Sequence, residues 1–298
     1  MNKVVRTMTI VGCGNVGKTL GRLWTQSGTV SIQCVLNRSA VSSQNAVDFI
    51  GAGAPITEWA AIPASDIFML SVSDDAVRTC VSQLCGTGVL RTGNLVFHCS
   101  GALSSDCLSE TQQYGAVVGS VHPVKSFANV QAACDSFAGT YCAIEGDAPA
   151  LEVLNSLFEL IGGILFSVEA AQKTIYHAGA VIVCNYFVAL LEAGLRCYEK
   201  AGIERAVAYK VIRPFVQGTL DNVFALDTAR ALSGPIARGD LALIQRQYCE
   251  LRQWSPALGR VYSELGVIAV DLAQIQGRVS EPVLSAIREV FRGDDSSR

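Results

Sequence analysis

Three polar residues interrupt the most apolar stretch of this chain: Lys173, His177 and Asn185 in KTIYHAGAVIVCNY, residues 173–186. A lysine can serve as general acid or base or as partner to an oxyanion. A histidine can relay protons near neutral pH, and an amide can hold a reacting oxygen. Lys173 and His177, four apart, share a helix face. Asn185 falls about 120° from Lys173 and about 80° from His177 at 3.6 residues per turn. The three can border one cleft without meeting at one atom. Lysine is almost never buried unpaired, so Lys173 either faces a water-filled cleft or has a partner. A plainer reading leaves Lys173 in exposed first turns, snorkelling, with Asn185 bonded to a neighbouring helix.

Two further histidines stand elsewhere. His122, in GSVHPVKSF, ends a strand that Pro123 stops; it reads as a site residue at a strand tip. His98 lies inside an apolar strand and reads as a satisfied core histidine. In LSGPIARGDLALI, Gly234-Pro235 forces a turn, Gly239 or Asp240 can start the next helix, and Arg238 at its mouth suits a substrate carboxylate. A surface loop is the competing reading of that segment. Three histidines and scattered carboxylates give no metal-ligand spacing.

MTIVGCGNVGKTLGRLW fits two phosphate-holding patterns at once. Gly12, Gly14 and Gly17 match G-x-G-x-x-G, with Asn15 and Val16 between the glycines; Gly12 to Thr19 also matches G-x-x-x-x-G-K-[ST]. Both hold phosphate at a helix N-terminus, through unpaired N–H groups and the helix dipole. The next strand ends in Asn37-Arg38-Ser39. An acid at that tip would select NAD. An arginine beside a hydroxyl and an amide selects the 2′-phosphate of NADP(H). The triphosphatase reading needs a strand ending in a Mg²⁺-binding Asp, and DIFMLSVSDD has its acids displaced into the loop. Val72, Ser73 and Asp74, with Ser100 and Gly101, sit at later strand tips, where such sheets bind ligands. Ser100 is taken with Arg238 as substrate-binding. Asp74 also fits as a cap of the following helix.

Elements must hold these residues in place. Residues 1–166 alternate strands (Thr7–Val11, Val30–Leu36, Ile67–Val72, Leu95–Cys99, Ala116–Val121, Thr140–Ile144 and Ile164–Val168) with helical patterns, which predicts a doubly wound, mainly parallel α/β sheet. From about Glu169 only helices follow: 170–201, 205–225, 238–252, 257–276 and 281–291, with Pro214 ending or kinking the second. The expected domains are 1–168 for the cofactor and 169–298 for substrate and dimerisation. The tail RGDDSSR reads as disordered.

Composition narrows the class. The chain has 298 residues, 50% hydrophobic, with net charge −3 and no basic block, so nucleic acid is not an expected partner. Eleven cysteines without paired spacing predict a reduced, cytoplasmic protein, and no signal-peptide pattern opens the sequence. The most apolar run, 178–191, is about 14 residues against about 20 for a membrane span, so no membrane association is expected.

The N-terminal half resembles the Rossmann domain of the 6-phosphogluconate dehydrogenase-like superfamily. GCGNVG, VHPVKSF, KTIYHAGAVIVCNY and SGPIARGD in this order are similar to a group of uncharacterised bacterial Rossmann-like proteins, provisionally named NADP oxidoreductases, whose helical C-terminal domain has no assigned function. The resemblance implies a homodimer through the helical domain, a small-molecule site between domains, and a catalytic Lys on the first interdomain helix with an Asn four residues later. Lys173 fits; the residue four later is His177, and Asn185 follows eight after that. His122-Pro123 is similar to the His-Pro at the substrate of prephenate dehydrogenases. The alternatives are a non-catalytic NADP-binding sensor or scaffold and a nucleotide triphosphatase.

Overall fold

A computed structural model describes residues 5–292; the rest of the RGDDSSR tail lies outside them. The described chain divides into two compact units, Met1–Tyr186 and Phe187–Arg298.

The first unit is an eight-stranded sheet of order β3-β2-β1-β4-β5-β6-β7-β8. Its strands are β1 (Arg6–Val11), β2 (Val30–Leu36), β3 (Ala54–Ile56), β4 (Ile67–Leu70), β5 (Leu95–His98), β6 (Val117–Pro123), β7 (Tyr141–Gly146) and β8 (Ile164–Ser167). All neighbours run parallel except β6 and β7. The helices are α1 (Asn15–Ser27), α2 (Ala40–Ile50), α3 (Val77–Gly86), α4 (Val130–Asp135), α5 (Ala148–Glu159) and α6 (Lys173–Ala180).

Central strands such as IFML and LVFH are buried along their whole length, and apolar but for His98, because both faces are covered. Two cores result. On one face Trp24, Phe97 and Phe158 pack edge to face, and the Trp24 indole N–H donates to the Leu157 carbonyl at 2.9 Å. On the other, Phe68, Val81, Leu84 and Leu108 fill the space beneath α3.

After α6 come a π turn, Val181–Asn185, and α7 (Tyr186–Lys200). The helical unit continues with α8 (Arg205–Leu226), α9 (Thr228–Ala231), α10 (Pro235–Arg238), α11 (Leu241–Trp254), α12 (Pro256–Gln276) and α13 (Glu281–Arg292). Its core gathers Ile244, Val270, Leu284 and Ile287.

Of the two outcomes expected at Pro214, an end to the helix is not seen: α8 runs through it, with bounds close to the expected 205–225. Three expectations change. The helix expected from Arg238 is two, split by Gly239 at φ +70 and restarted by Asp240, whose carboxylate accepts from Leu243 N–H at 3.3 Å. Asp74 opens a 3₁₀ turn, and the N-cap of α3 is Ala76. The apolar stretch belongs to a helical run, Ala170–Lys200, that by length and composition is long and apolar enough to cross a membrane.

Candidate functional site at the carboxyl ends of the strands

The loop Gly12–Gly17 joins β1 to α1, and its glycines serve three separate needs. Gly12 sits at φ +72, where a Cβ would come within 2.1 Å of Val72 Cγ1. Gly14 is the N-cap of α1 and faces open space. A Cβ on Gly17 would press on Cys13 Sγ and Ser71 Oγ at 3.1 and 3.2 Å, so glycine lets α1 lie close on the end of β4. No side chain caps the N-terminus of α1 and no acid occupies its first turn. Its first N–H groups are therefore free to meet an anion.

The β2 tip braces this loop. The Asn37 side-chain oxygen accepts from Cys13 N–H at 2.6 Å, while the buried Asn37 Nδ2 has no partner. Arg38 is exposed, and Ser39 caps α2 by accepting from Ser42 N–H at 3.2 Å. Across from them, the Ser73 hydroxyl donates to Asp75 and, with the Arg38 charge adding, holds that carboxyl below its usual range. Asn15 is committed elsewhere, donating to the Phe127 carbonyl at 2.8 Å. Val16 is half-buried and packs on the core.

These residues fit a dinucleotide: an open glycine at a bare helix end, an orphaned amide, and a cation beside a second helix N-terminus. They do not fit a triphosphate with Mg²⁺. Thr19, the hydroxyl that would meet the metal, is fully buried inside α1 and donates to the Asn15 carbonyl at 2.8 Å.

Beyond the tips of β5 and β6 the polar side chains converge. His98 Nδ1 accepts from Ser100 N–H at 3.1 Å, which leaves the proton on Nε2 to be donated to the Ser104 carbonyl at 3.1 Å. The ring is neutral, and burial, with the Lys173 charge adding, holds its pKa down to about 4. The core reading of His98 therefore holds. The Ser100 hydroxyl accepts from Ala102 and Leu103 N–H at 3.1 and 3.0 Å, which folds the turn on itself.

His122 pairs its Nδ1 with the Tyr176 hydroxyl at 2.9 Å, and its ring lies 5.3 Å from that of His177, edge to face. Burial, helped by His177 and Lys173, depresses the His122 pKa to about 4. His177 Nδ1 is buried without a partner and points at Gly101, where a Cβ would lie 2.3 Å from it. Tyr176 escaped the sequence reading. Its one signal was position: it precedes His177 on the same helix.

Lys173 is the partnered alternative of the sequence reading, at 1% exposure. Its ammonium donates to the Ser100 carbonyl at 2.8 Å and to the Ser120 hydroxyl, and stands 3.8 Å from Glu145 Oε1. Burial lowers its pKa and the Glu145 charge opposes that shift. Glu145 was not singled out from the sequence.

The π turn changes the register expected for Asn185. Its i→i+5 bond, from Tyr186 N–H to the Val181 carbonyl, admits one residue more than an α turn. One residue is about 100° of rotation, so Asn185 falls within about 20° of both His177 and Lys173. One stripe thus runs from buried Lys173 through half-buried His177 to exposed Asn185. Arg238 lies exposed at the end of α10, in the helical unit.

Comparison with known proteins agrees with this geometry. Residues 2–123 match a Rossmann-like domain, and residues 140–268 match a domain of unknown function, DUF2520. No curated protein matches the chain. Among solved structures, protein TM1727 from Thermotoga maritima superposes with a TM-score of 0.71 at 23% identity, covering 91% of this chain and 100% of its own. BF3122 from Bacteroides fragilis, provisionally named an NADP oxidoreductase, gives 0.72 at 20% identity over 90% and 98%. A pyrroline-5-carboxylate reductase from Coxiella burnetii gives 0.58 at 14% identity over 96% and 98%. At these identities the likeness shows the fold alone: a Rossmann-like domain followed by a helical C-terminal region.

Proposed function

We propose that this chain, in which a Rossmann-like domain precedes the domain of unknown function DUF2520, is an NADP(H)-dependent oxidoreductase. Its substrate is a small, anionic carbonyl, imine or alcohol compound. The observation that carries the reading is the bare N-terminus of α1 behind an open Gly14, with Arg38 and Ser39 at the neighbouring strand tip.

Gly12, Gly14 and Gly17 with Asn15 and Val16 shape the pyrophosphate cradle; Asn37, Arg38 and Ser39 meet the ribose and its 2′-phosphate. Val72, Ser73 and Asp74 border the path toward the nicotinamide, which when bound supplies the redox chemistry itself. The protein's part is to orient and to polarise. His122 and His177 are the groups placed to do so. His122 is neutral near pH 7, with its pKa held down to about 4, so its ring can donate or accept a hydrogen bond without carrying charge into a buried site. His177 presents an uncommitted buried nitrogen to the same point over Gly101. Tyr176 holds the His122 ring. Asn185 on the same stripe is proposed to bind the reacting oxygen, and Arg238 and Ser100 to bind substrate.

Titration of the full chain with NADPH and NADH, followed by nicotinamide fluorescence, tests cofactor binding. A panel of carbonyl, imine and amino-acid substrates, followed by NADPH absorbance, tests turnover. A non-catalytic NADP-binding protein takes support from one observation, the sealing of Lys173 inside the protein; tight NADPH binding with no turnover across the panel would favour it.

Exposed apolar side chains in the helical unit, among them Phe215, Phe224 and Ile268, support a homodimer through that unit. Eleven free cysteines, six of them buried, support a reducing, cytoplasmic setting.

A further inference from the structure

The turn that follows β5 is held at both ends by one buried ion pair. At its start, the Ser100 carbonyl accepts from the Lys173 ammonium at 2.8 Å. At its far end, Ser105 donates its N–H to Glu145 Oε1 at 2.8 Å and its hydroxyl to Oε2 at 2.7 Å. The pair closes the ring, since Lys173 Nζ and Glu145 Oε1 are 3.8 Å apart at 1% and 7% exposure. Strand pairing explains how they meet. In the antiparallel pair, Ser120 of β6 lies directly opposite Glu145 of β7. Directly opposite residues project to the same face of the sheet, so both reach the Lys173 ammonium.

A group that gives a proton to substrate needs hydrogen-bond reach to the reacting atom, about 2.6–3.2 Å. The Lys173 ammonium donates to the Ser100 carbonyl and the Ser120 hydroxyl and is ion-paired with the Glu145 carboxylate at 3.8 Å, in a side chain only 1% exposed. What it controls is the path of the turn. That path is fixed further by His98, which grips Ser100 and Ser104, and by the Ser100 hydroxyl. At the apex sits Gly101, where a Cβ would lie 2.3 Å from His177 Nδ1 and 3.0 Å from His122 Cε1. A turn of this kind ordinarily moves. Here it forms the floor under two imidazoles.

We infer that Lys173 and Glu145 are a positioning pair, which fixes the Ser100–Ser105 turn beneath His122 and His177, and that the Lys173 ammonium does not itself touch substrate. Only the purpose of the turn rests on the proposed function; the pairing stands without it. Buried ion pairs are replaceable by apolar residues of similar volume, whereas removing one partner strands the other's charge. The pair is therefore tested by breaking it and then by replacing it whole.

The first experiment acylates the full-length native chain with acetic anhydride, with and without NADPH, and maps modified lysines by peptide mass. Lys173 is expected to stay unmodified in both conditions and to react once the chain is unfolded. Acylation of native Lys173 at the rate of surface lysines, slowed by NADPH, would overturn the inference. The second measures deuterium exchange. Glu145→Gln is expected to speed exchange across residues 100–105 by about tenfold or more while leaving residues 12–17 unchanged. The double variant Lys173→Met/Glu145→Leu, which relieves the stranded charge but leaves Ser105 and the Ser100 carbonyl without these partners, is expected to recover much of the chain's stability in urea and not the protection of residues 100–105. Unchanged exchange in Glu145→Gln would overturn the positioning role. If the chain bound no NADPH, the proposed function would fall while both readouts still judged the pair.

Discussion

Lys173 and Glu145 stand at 1% and 7% exposure, so truncating either leaves a charge in a dry site. Lys173→Ala is expected to cost about 3–5 kcal/mol, the usual penalty for breaking a buried pair, measured by urea denaturation. The two depressed histidines give a second expectation. Their folded pKa values near 4 lie below the ordinary 6.5. Between those limits the unfolded chain binds protons that the folded chain refuses, so stability is present above pH 6.5 and is lost as pH falls toward 4. Each histidine should contribute a slope of about 1 kcal/mol per pH unit across that window. Replacing His98 by Gln should shrink the wild-type slope by its share, read from denaturation curves taken between pH 6.5 and 4.5. At this scale the sequence was partly legible. Lysine's aversion to unpaired burial announced that Lys173 needs either water or a partner. The identity of Glu145 was hidden, because it comes from a strand 28 residues upstream (173 minus 145) whose antiparallel register no local pattern specifies.

The glycine loop separates folding from binding within one element. Gly12 has both a positive φ and a Cβ clash at 2.1 Å; Gly14 has neither. Gly12→Ala should therefore cost more than about 1 kcal/mol of stability. Gly14→Ala should leave stability within about 0.5 kcal/mol yet weaken NADPH binding; thermal melts and titrations of both variants check the contrast. The strands around this loop were legible from apolar runs bounded by turn residues: β2 falls at Val30–Leu36 as expected. β3 was not, since three residues containing Pro55 give no period. The π turn was also invisible. Angles counted at a uniform 3.6 residues per turn put Asn185 off the His177 face, and only the observed i→i+5 bond brings it back. The break between α10 and α11 at Gly239 was foreshadowed by the Gly-Asp pair, whose αL and capping preferences outweigh the apolar pattern on either side.

At the scale of the whole chain, the helical unit leaves large apolar side chains uncovered, with Phe215 71% and Phe224 86% exposed. It also carries an apolar groove of about 520 Å³ bordered by Leu190, Leu251, Val261 and Leu265. Such surfaces mark association sites. Under the proposed homodimer, sedimentation of the native chain should give twice the 31.6 kDa chain mass, and Phe215→Glu with Phe224→Glu should shift it to the monomer. The alternation of strands and helices, followed by helices alone, was readable from periodicity across the full length. The uncovered faces were not, because an apolar helix stripe looks the same in sequence whether its own chain or another covers it.

The central claim, an NADP(H) site built on the α1 N-terminus and Arg38, is tested most directly by parallel titrations of the full chain with NADPH and NADH. The native chain should bind NADPH more tightly. Replacing Arg38 by Ala should erase about tenfold or more of that preference while leaving NADH affinity nearly unchanged. No binding of either nucleotide at millimolar concentration, or a preference for NADPH that survives Arg38→Ala intact, would contradict the account.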